Sequence, residues 1–376
     1  MKFSFSSEQD EFRTNLRRFL ADHSSTKDVR RLMETEAGWD RAGWRALNEA
    51  LGLTAVRIPE AYDGHGFGFG ELGIVLEEMG RALLCAPYFA TTVLAAGAIL
   101  NAGTEADKRA LLPGIALGET IATLASAEDD GRWDAAATTL TATRASGTYR
   151  LDGHKSFVLD GHTADLIVVL ARAPGSTGED GLSLFTVAGN ATGLTRRALK
   201  TMDPTRKLAR LTFQNVEAKL LGEEGAAAAP FARTMTEAAV CLANEMAGGA
   251  ARLREDALAY AMMRMQFGRS IASFQSMKHK SADMLLEVEL AKSAAYYAAA
   301  ALDDGDADVT AIASLAKACA SDTYMQTAIH AIQIHGGIGF TWDNDTHLWF
   351  KRAKSSEVLF GDAHHHREQM MRHWAA

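Results

Sequence analysis

The sequence of 376 residues is short of the features that mark several special classes of protein. Its three cysteines, Cys85, Cys241 and Cys319, lie far apart and show no CxxC spacing, which excludes a CxxC metal or dithiol motif. An odd, scattered set indicates reduced thiols that are buried as small apolar side chains in a cytoplasmic protein. The net charge of −8 offers no excess of positive charge, which argues against a nucleic-acid-binding protein.

Long apolar runs are also missing. The most apolar stretch, residues 88–100, has 13 residues including two threonines, which is too short to span a bilayer. The N-terminal residues lack the apolar core of a signal peptide. We therefore expect a chain that has no membrane span and is located in the cytoplasm.

The spacing of apolar residues changes twice along the chain and predicts an α+β fold of three domains. Residues 1–118 repeat apolar positions every three or four residues, which predicts an N-terminal helical domain. Residues 119–222 contain short segments rich in threonine, valine and leucine between turns, which predicts an antiparallel, barrel-like β domain. Residues 223–376 are rich in alanine, leucine and methionine, which predicts a C-terminal four-helix bundle that also forms a subunit interface.

The same patterns predict individual elements. Ser6 or Ser7 is expected to cap the first helix. The predicted helices are 8–22, 43–53, 71–83, one long run after Pro230, 275–302 and 309–335. The predicted strands are 138–143, 148–153, 165–172, 182–187 and 209–216, with turns that include Ala145-Ser146-Gly147. The glycines of 58–71 do not match GxGxxG and predict a plain loop.

Two glycine-broken motifs carry the functional signal. In RMQFGRSIASFQ, residues 264–275, Arg264 and Phe267 stand beside a helix break at Gly268, where they could clamp a phosphate and stack on a ring. In QIHGGIGFT, residues 333–341, the glycines after His335 allow backbone amides to approach a ligand closely. Each motif alone is also compatible with an ordinary glycine stop at a helix C-terminus.

Together, the two motifs resemble the C-terminal signatures RxQFGxxIxxFQ and QxHGGxGFT of the acyl-CoA dehydrogenases. The resemblance covers almost the whole chain, because residues 58–83 and 151–172 are similar to the family's N-terminal and middle domains. It implies an FAD cofactor, an acyl-CoA substrate that loses an α-proton and a β-hydride, and an electron-transfer flavoprotein as electron acceptor. It also implies an assembly that is usually a dimer of dimers.

The resemblance carries cofactor roles over to matching positions. It implies that Arg264, Phe267, Phe274 and Gln275 contact FAD across a subunit boundary. By the same resemblance, the segment from Gln333 through Gly336 and Gly337 cradles the dinucleotide of the neighbouring subunit, and Phe157 and Leu159 belong to strands that face the flavin.

The catalytic base of the family is missing from this sequence. Most members carry a glutamate in the last segment, and Phe360 stands in its place, followed by Gly361. Other members carry the base on the long helix, at the position of Ala238 here. Glu237 is rotated from that position by roughly 100° on a helix, and Asp362 is the only other weak candidate beside these positions. The catalytic residue is therefore unknown.

Further departures surround the cofactor positions. By the resemblance, the loop that supports the flavin ring in the family is reduced here to residues 125–134, and Leu159 stands where the family has a threonine that hydrogen-bonds flavin N5. Such a set resembles the "LFGD" branch of the family, the small subunits of paired acyl-CoA dehydrogenases that act on dicarboxylic or steroid-side-chain CoA esters. The hypothesis is a heteromeric enzyme in which a homologous subunit supplies the base. The alternatives are a self-sufficient enzyme that uses Asp362 or Glu237, and a catalytically silent partner subunit.

The histidines of AHHHRE, residues 363–368, invite a metal site. Consecutive residues of a helix point roughly 100° apart, so His364, His365 and His366 cannot converge on one ion, and we predict no metal. They either begin a solvated helix or contact a phosphate, with Asp362 as the N-cap.

Other charged residues of the C-terminal region have ordinary readings. Glu245 is expected to be a packed or hydrogen-bonded helix residue. Lys351, Arg352 and Lys354 could meet CoA phosphates or form a solvated face.

Overall fold

The structure is a computed structural model that describes residues 5–145 and 147–375. Ser146, in one of the predicted turns, lies outside the described residues. The chain divides into two compact units. The helical unit comprises the described parts of Met1–Arg30, Phe69–Leu84 and Ala239–Ala376, and the β unit comprises Arg31–Gly68 and Cys85–Ala238. The predicted boundaries of the three domains, after residues 118 and 222, stay predictions.

The helices and strands are numbered in chain order. The helices are α1 (Ser7–His23), α2 (Thr26–Met33), α3 (Arg41–Leu51), α4 (Phe69–Ala82), α5 (Ala96–Ala102), α6 (Glu105–Ala116), α7 (Ala228–Met263), α8 (Gln275–Asp304), α9 (Val309–His335), α10 (Thr346–Val358) and α11 (Ala363–Ala375). The strands are β1 (Ala122–Ala125), β2 (Thr141–Ala145), β3 (Thr148–Leu159), β4 (Leu166–Arg172), β5 (Leu182–Ala188), β6 (Leu194–Ala198), β7 (Leu208–Leu221), β8 (Met265–Gln266) and β9 (Arg269–Ser270).

The first helix begins at the serine cap that the sequence predicts. The Ser6 side chain accepts a hydrogen bond from the backbone of Gln9, and the Gln9 side chain accepts one from the backbone of Ser6, which completes a capping box. Leu16 and Leu20 are buried on the inner face of α1. The predicted helix at 8–22 is therefore confirmed.

Small residues let the helices of the helical unit pack closely. A Cβ at Gly80 of α4 would lie 2.0 Å from the backbone oxygen of Glu245 on α7. A Cβ at Gly248 of α7 would lie 1.9 Å from the oxygen of Glu77 on α4. Both glycines are required by this approach, since no larger side chain fits. These contacts join α4 to α7, whereas the four-helix bundle predicted for residues 223–376 and its subunit interface stay predictions.

The sheet of the β unit closes on itself. The strands follow the order β1-β4-β2-β3-β7-β5, β4 also pairs with β5, and β6 pairs with β7. Leu151, Val169 and Phe213 are among the buried residues of its core. The five predicted strands are present, whereas β1 and β6 were not predicted. One further difference is that β1 pairs with β4 in parallel, with Ala122 opposite Leu166.

The C-terminal helices follow the sequence pattern. The long helix is α7, the predicted helices 275–302 and 309–335 are α8 and α9, and the break at Gly268 lies between β8 and β9. None of the helices in the described ranges is long and apolar enough to cross a membrane. Cys85 and Cys241 are buried, as predicted, but Cys319 is only partly buried, because its helix face borders a groove of about 510 Å³.

Candidate cofactor and base positions

The first motif forms an exposed hairpin at the end of α7. Phe267 and Gly268 connect β8 and β9 with φ angles of +53° and +74°, and the left-handed conformation at both residues is that of a tight two-residue turn. The backbone of Ile271 donates to the oxygen of Arg264 at 2.9 Å, which ties the hairpin to the helix end. The Phe267 side chain at the tip is 91% exposed. An exposed aromatic ring of this kind is available to stack on a ligand or a partner.

The start of α8 supports the same hairpin. Phe274 contacts Phe267 edge to face, with ring centroids 6.2 Å apart. The Arg269 guanidinium lies 4.0 Å from the centroid of the Phe274 ring, in a cation–π contact. The Gln275 amide lies 3.1 Å from Nε2 of His279, one helical turn on. Arg264 and Arg269 are both exposed, so this end of the unit presents two cations beside two aromatic rings.

The second motif ends α9 with open backbone. Gly336 follows the last helical residue with φ +67°, and a Cβ on Gly336 or Gly337 would meet no atom within 4 Å. These two glycines therefore leave open space beside the backbone, although the Gly336 N–H is bonded to the carbonyl oxygens at the end of α9. Gln333, one turn earlier, is exposed and accepts a hydrogen bond from Nζ of Lys280 at 2.5 Å.

Contacts within the helical unit bring the two motifs together. Tyr260, one turn before the end of α7, stacks on His335 at the end of α9, with centroids 4.4 Å apart and planes 24° apart. Nζ of Lys280 on α8 lies 3.2 Å from Nδ1 of His330 on α9. The two predicted motifs, which are far apart in the sequence, therefore share one end of the unit.

The residues at this end fit the nucleotide half of FAD. A diphosphate needs a donor, which the exposed Arg264 side chain provides, and room to approach the backbone, which the open space beside Gly336 and Gly337 provides. An adenine ring can stack on an aromatic side chain such as Phe267, and a ribose can form hydrogen bonds with the Gln333 amide. Arg269 and Lys280 were not singled out from the sequence, because their contacts with Phe274 and Gln333 depend on the fold.

In the β unit, the predicted flavin-facing residues lie at an irregularity of β3. The pairing of β3 with β7 shifts between Lys155 and Val158, and Phe157 inside this shift has φ +58° and is partly exposed. Leu159 is 3% exposed, and its alkyl side chain offers no donor. The residues of β3 therefore fit a ring beside Phe157 but supply no side-chain hydrogen bond from position 159.

A buried ion pair stabilises the strand that carries Phe157. Nζ of Lys155, which is fully buried, lies 2.9 Å from Oε1 of Glu128 and donates to the oxygen of Ser126 at 2.7 Å. Burial alone would raise the pKa of Glu128, but Lys155 and the hydrogen bonds from Thr139 and Leu140 outweigh it and lower the pKa to about 2. The pair holds the 125–134 loop against β3.

Neither family position for the base holds an acid. Phe360 is 6% exposed and has φ +60°, and Ala238 is fully buried. Glu237 is 1% exposed, and its carboxylate lies 3.0 Å from Arg57 and accepts from Asn101 at 3.1 Å. These contacts engage the Glu237 carboxylate inside the β unit.

Asp362 is engaged as well. Its Oδ1 accepts from the backbone of His365 at 2.8 Å, which confirms the predicted N-cap of α11. The hydrogen bond from His365 lowers the pKa of Asp362, so this carboxyl is a poorer base. Within the described residues, no three His, Cys, Asp or Glu side chains are grouped to hold a metal ion.

The three consecutive histidines differ in exposure. His364 is exposed, His365 is intermediate and His366 is 6% exposed, with Nδ1 3.4 Å from Oγ of Ser314. Burial and the neighbouring Lys317 lower the pKa of His366 to about 3. The prediction of a solvated helix start therefore holds for His364 and is wrong for His366, because the helix turns that residue inward.

The other charged residues singled out in the C-terminal region each contact a partner. Glu245 is packed and paired, as predicted, because its Oε1 lies 2.9 Å from the guanidinium of Arg352. Arg352 itself is 4% exposed, so the prediction of a solvated or phosphate-binding side chain is wrong at this position. Nζ of Lys351 lies 4.4 Å from the centroid of the Trp342 ring, and Lys354 pairs with Glu357 at 2.6 Å.

Family comparisons cover nearly the whole chain. The model of the acyl-CoA dehydrogenase N-terminal domain matches residues 6–119. The model of the middle domain matches residues 123–216, and that of the C-terminal domain matches residues 225–375.

Individual relatives agree with these matches. Acyl-CoA dehydrogenase IpdE2 of Mycobacterium tuberculosis is 32% identical over 355 residues, covering 94% of this chain and 92% of the relative. The solved structure of the Tcur3481-Tcur3483 steroid ACAD, a variant form, has a TM-score of 0.88 and 31% identity, covering 98% of both chains. Butyryl-CoA dehydrogenase from Megasphaera elsdenii has a TM-score of 0.93 and 26% identity, covering 100% of both chains.

Proposed function

The chain belongs to the acyl-CoA dehydrogenase family of FAD-dependent oxidoreductases that act on CH–CH bonds, and from this premise we propose that it is one subunit of a heteromeric enzyme. A homologous chain would supply the catalytic base, and the assembly would be a dimer of dimers. Electrons would pass to an electron-transfer flavoprotein. A location in the cytoplasm stays a prediction.

The reaction divides its requirements between cofactor and protein. FAD, when bound, supplies the two-electron acceptor. The protein must bind the acyl-CoA thioester, exclude water and place a carboxylate next to the α-carbon. Arg264, Phe267, Gln333, Gly336 and Gly337 would hold the nucleotide half of the cofactor in this proposal.

The observation that carries the proposal is the state of the base positions. Phe360 and Ala238 cannot accept a proton. The acids nearest to them in sequence are engaged, Glu237 by Arg57 and Asn101 and Asp362 by the α11 backbone. A base from another chain is the simplest source of the missing carboxylate.

Relatives support this proposal and suggest a substrate class. One similar solved structure is the Tcur3481-Tcur3483 steroid ACAD, a name that joins two components. We infer a CoA thioester of a steroid side chain or a dicarboxylic acid as substrate.

Two alternatives remain distinct. A self-sufficient enzyme would have to release Asp362 from its cap or Glu237 from Arg57 before either could act. A silent partner subunit would keep the fold without binding FAD, and the open glycines at the end of α9 favour the cofactor-binding subunit over it.

The test is to purify the chain alone and with a homologous acyl-CoA dehydrogenase chain that carries a glutamate at either base position. We expect FAD and acyl-CoA-dependent flavin bleaching in the pair, and no turnover from the lone chain. Full FAD content and turnover from the lone chain would contradict the proposal.

Amide variants separate the alternatives. D362N and E237Q in the lone chain should leave bleaching unchanged from the wild-type background. Loss of bleaching in one of them would identify a displaced base, and a pair that binds no more FAD than the homologous chain alone would favour the silent subunit.

A further inference from the structure

A buried lysine in the helical unit has no role in the proposed function. Lys317 on α9 is fully buried. Its Nζ donates to Oγ of Ser321 at 3.0 Å, to the oxygen of Glu357 at 3.1 Å and to the oxygen of Gly361 at 2.9 Å. A lysine ammonium has three donors and no acceptor, so these three acceptors match its capacity.

Two of the acceptors bracket the family position of the base. Glu357 lies in the last turn of α10, where carbonyl groups lack partners within the helix. Gly361 follows Phe360 directly. Lys317 therefore connects α9 to the backbone on both sides of position 360.

The turn at Leu359–Asp362 has a conformation that needs such support. Phe360 has φ +60°, a left-handed conformation that is unfavourable for a bulky residue, and Gly361 has φ +104°. A Cβ at Gly361 would lie 2.4 Å from Cδ2 of His365 and would force that ring to move, and its φ of +104° also favours glycine. The Asp362 cap fixes the far side of the turn.

We propose that Lys317 is the positioning residue of the Leu359–Asp362 turn and that the turn still holds position 360 as it would hold a catalytic carboxylate. This inference rests on the proposed function and deepens it: the chain lacks the acidic side chain but keeps the backbone that aims it. A glutamate at position 360 would take the α-proton, the α-carbon electron pair would form the Cα=Cβ bond, and the β-hydride would pass to oxidised FAD.

The first experiment measures the turn itself in the full chain. Para-fluorophenylalanine placed at position 360 should give one narrow fluorine NMR resonance. K317M should broaden, split or shift this resonance, K317R should restore it in part, and the matched control K292M, on α8 and away from the turn, should leave it unchanged. An unchanged resonance in K317M would overturn the inference. If K317M does not fold, K317Q is read in the same way.

The second experiment uses the FAD-loaded assembly with the partner's base replaced by glutamine and octanoyl-CoA as the probe. F360E should bleach flavin about 100-fold faster than F360Q. Adding K317M to F360E should lower this rate about tenfold while the Kd for octanoyl-CoA stays within about twofold. Equal rates for F360E and F360Q, or no effect of K317M, would overturn the inference. An assembly without FAD would refute the proposed function and leave the NMR result standing.

Discussion

The positions that would hold the cofactor and those that would react with substrate differ sharply in this chain. At the shared end of α7, α8 and α9, Arg264 and Phe267 are exposed and Gly336 and Gly337 leave open space. At the base positions, Phe360 and Ala238 are buried and carry no acid.

The difference teaches that binding and reaction are separable in this fold. In the proposed site, cofactor contacts would come from exposed groups at helix ends, whereas the base would depend on one side chain on a supported turn.

Breaking the buried pair of the β unit would remove the support of β3, the strand predicted to face the flavin. K155M leaves Glu128 buried without its cation, and we expect a loss of about 3–5 kcal/mol in the free energy of unfolding. Urea unfolding measures it. The matched control R150A, also on β3, removes an exposed pair with Glu217 of β7 and should cost about 0–1 kcal/mol. Equal losses would contradict the prediction.

Removing the cation at the hairpin tests the cofactor side. R264A should weaken FAD binding by the assembly on the order of 10- to 100-fold, because a charge-assisted hydrogen bond to a phosphate is lost. Fluorescence titration of the deflavinated assembly measures the Kd. The control R18A, which changes an exposed arginine of α1, should leave the Kd unchanged. An unchanged Kd in R264A would indicate that the nucleotide binds elsewhere.

The buried histidine near the turn predicts acid sensitivity. The folded pKa of His366 is about 3, below its ordinary value of 6.5, so the unfolded chain binds a proton that the folded chain does not as pH falls below 6.5. Stability is therefore present above pH 6.5 and lost below it, by about 1.4 kcal/mol per pH unit for this group. H366M should flatten this dependence in urea unfolding, and H364Q should not. A slope that H366M leaves intact would assign the acid sensitivity to another group.

The smallest effect is expected at Lys280. Nζ of Lys280 donates to the oxygen of the Gln333 amide. This orientation points the amide nitrogen away from the lysine, where it can donate to a ligand. K280M should weaken FAD binding about threefold, because the Gln333 amide would no longer be held in the orientation that lets its nitrogen donate to the ligand. K278M, on the same helix, is the control, and equal affinities in the two variants would remove Lys280 from the site.

Local patterns predicted much of the fold. The Ser6 cap, the α7 break at Gly268 and the end of α9 at His335 each depend on neighbouring residues, and all are in place. The short strands β1 and β6 were missed, because segments of only a few residues give little periodicity. The parallel pairing of β1 with β4 depends on distant segments, which no local pattern encodes.

The candidate site was predictable only in part. The sequence identified the two motifs and the empty base positions by resemblance. It did not identify the contacts that act across the fold, such as Tyr260 on His335, Lys317 on the 359–362 turn and Arg352 on Glu245. Each joins helices whose packing a linear pattern leaves open.

The aromatic tip of the hairpin has a practical consequence for handling the protein. Phe267 projects from the chain together with Met262, Met263 and Met265, all largely exposed. Apolar side chains that are exposed together at a protruding turn favour aggregation when no partner covers them. If the proposed heteromeric assembly covers this tip, co-expression with the homologous chain should raise the yield of soluble, unaggregated protein.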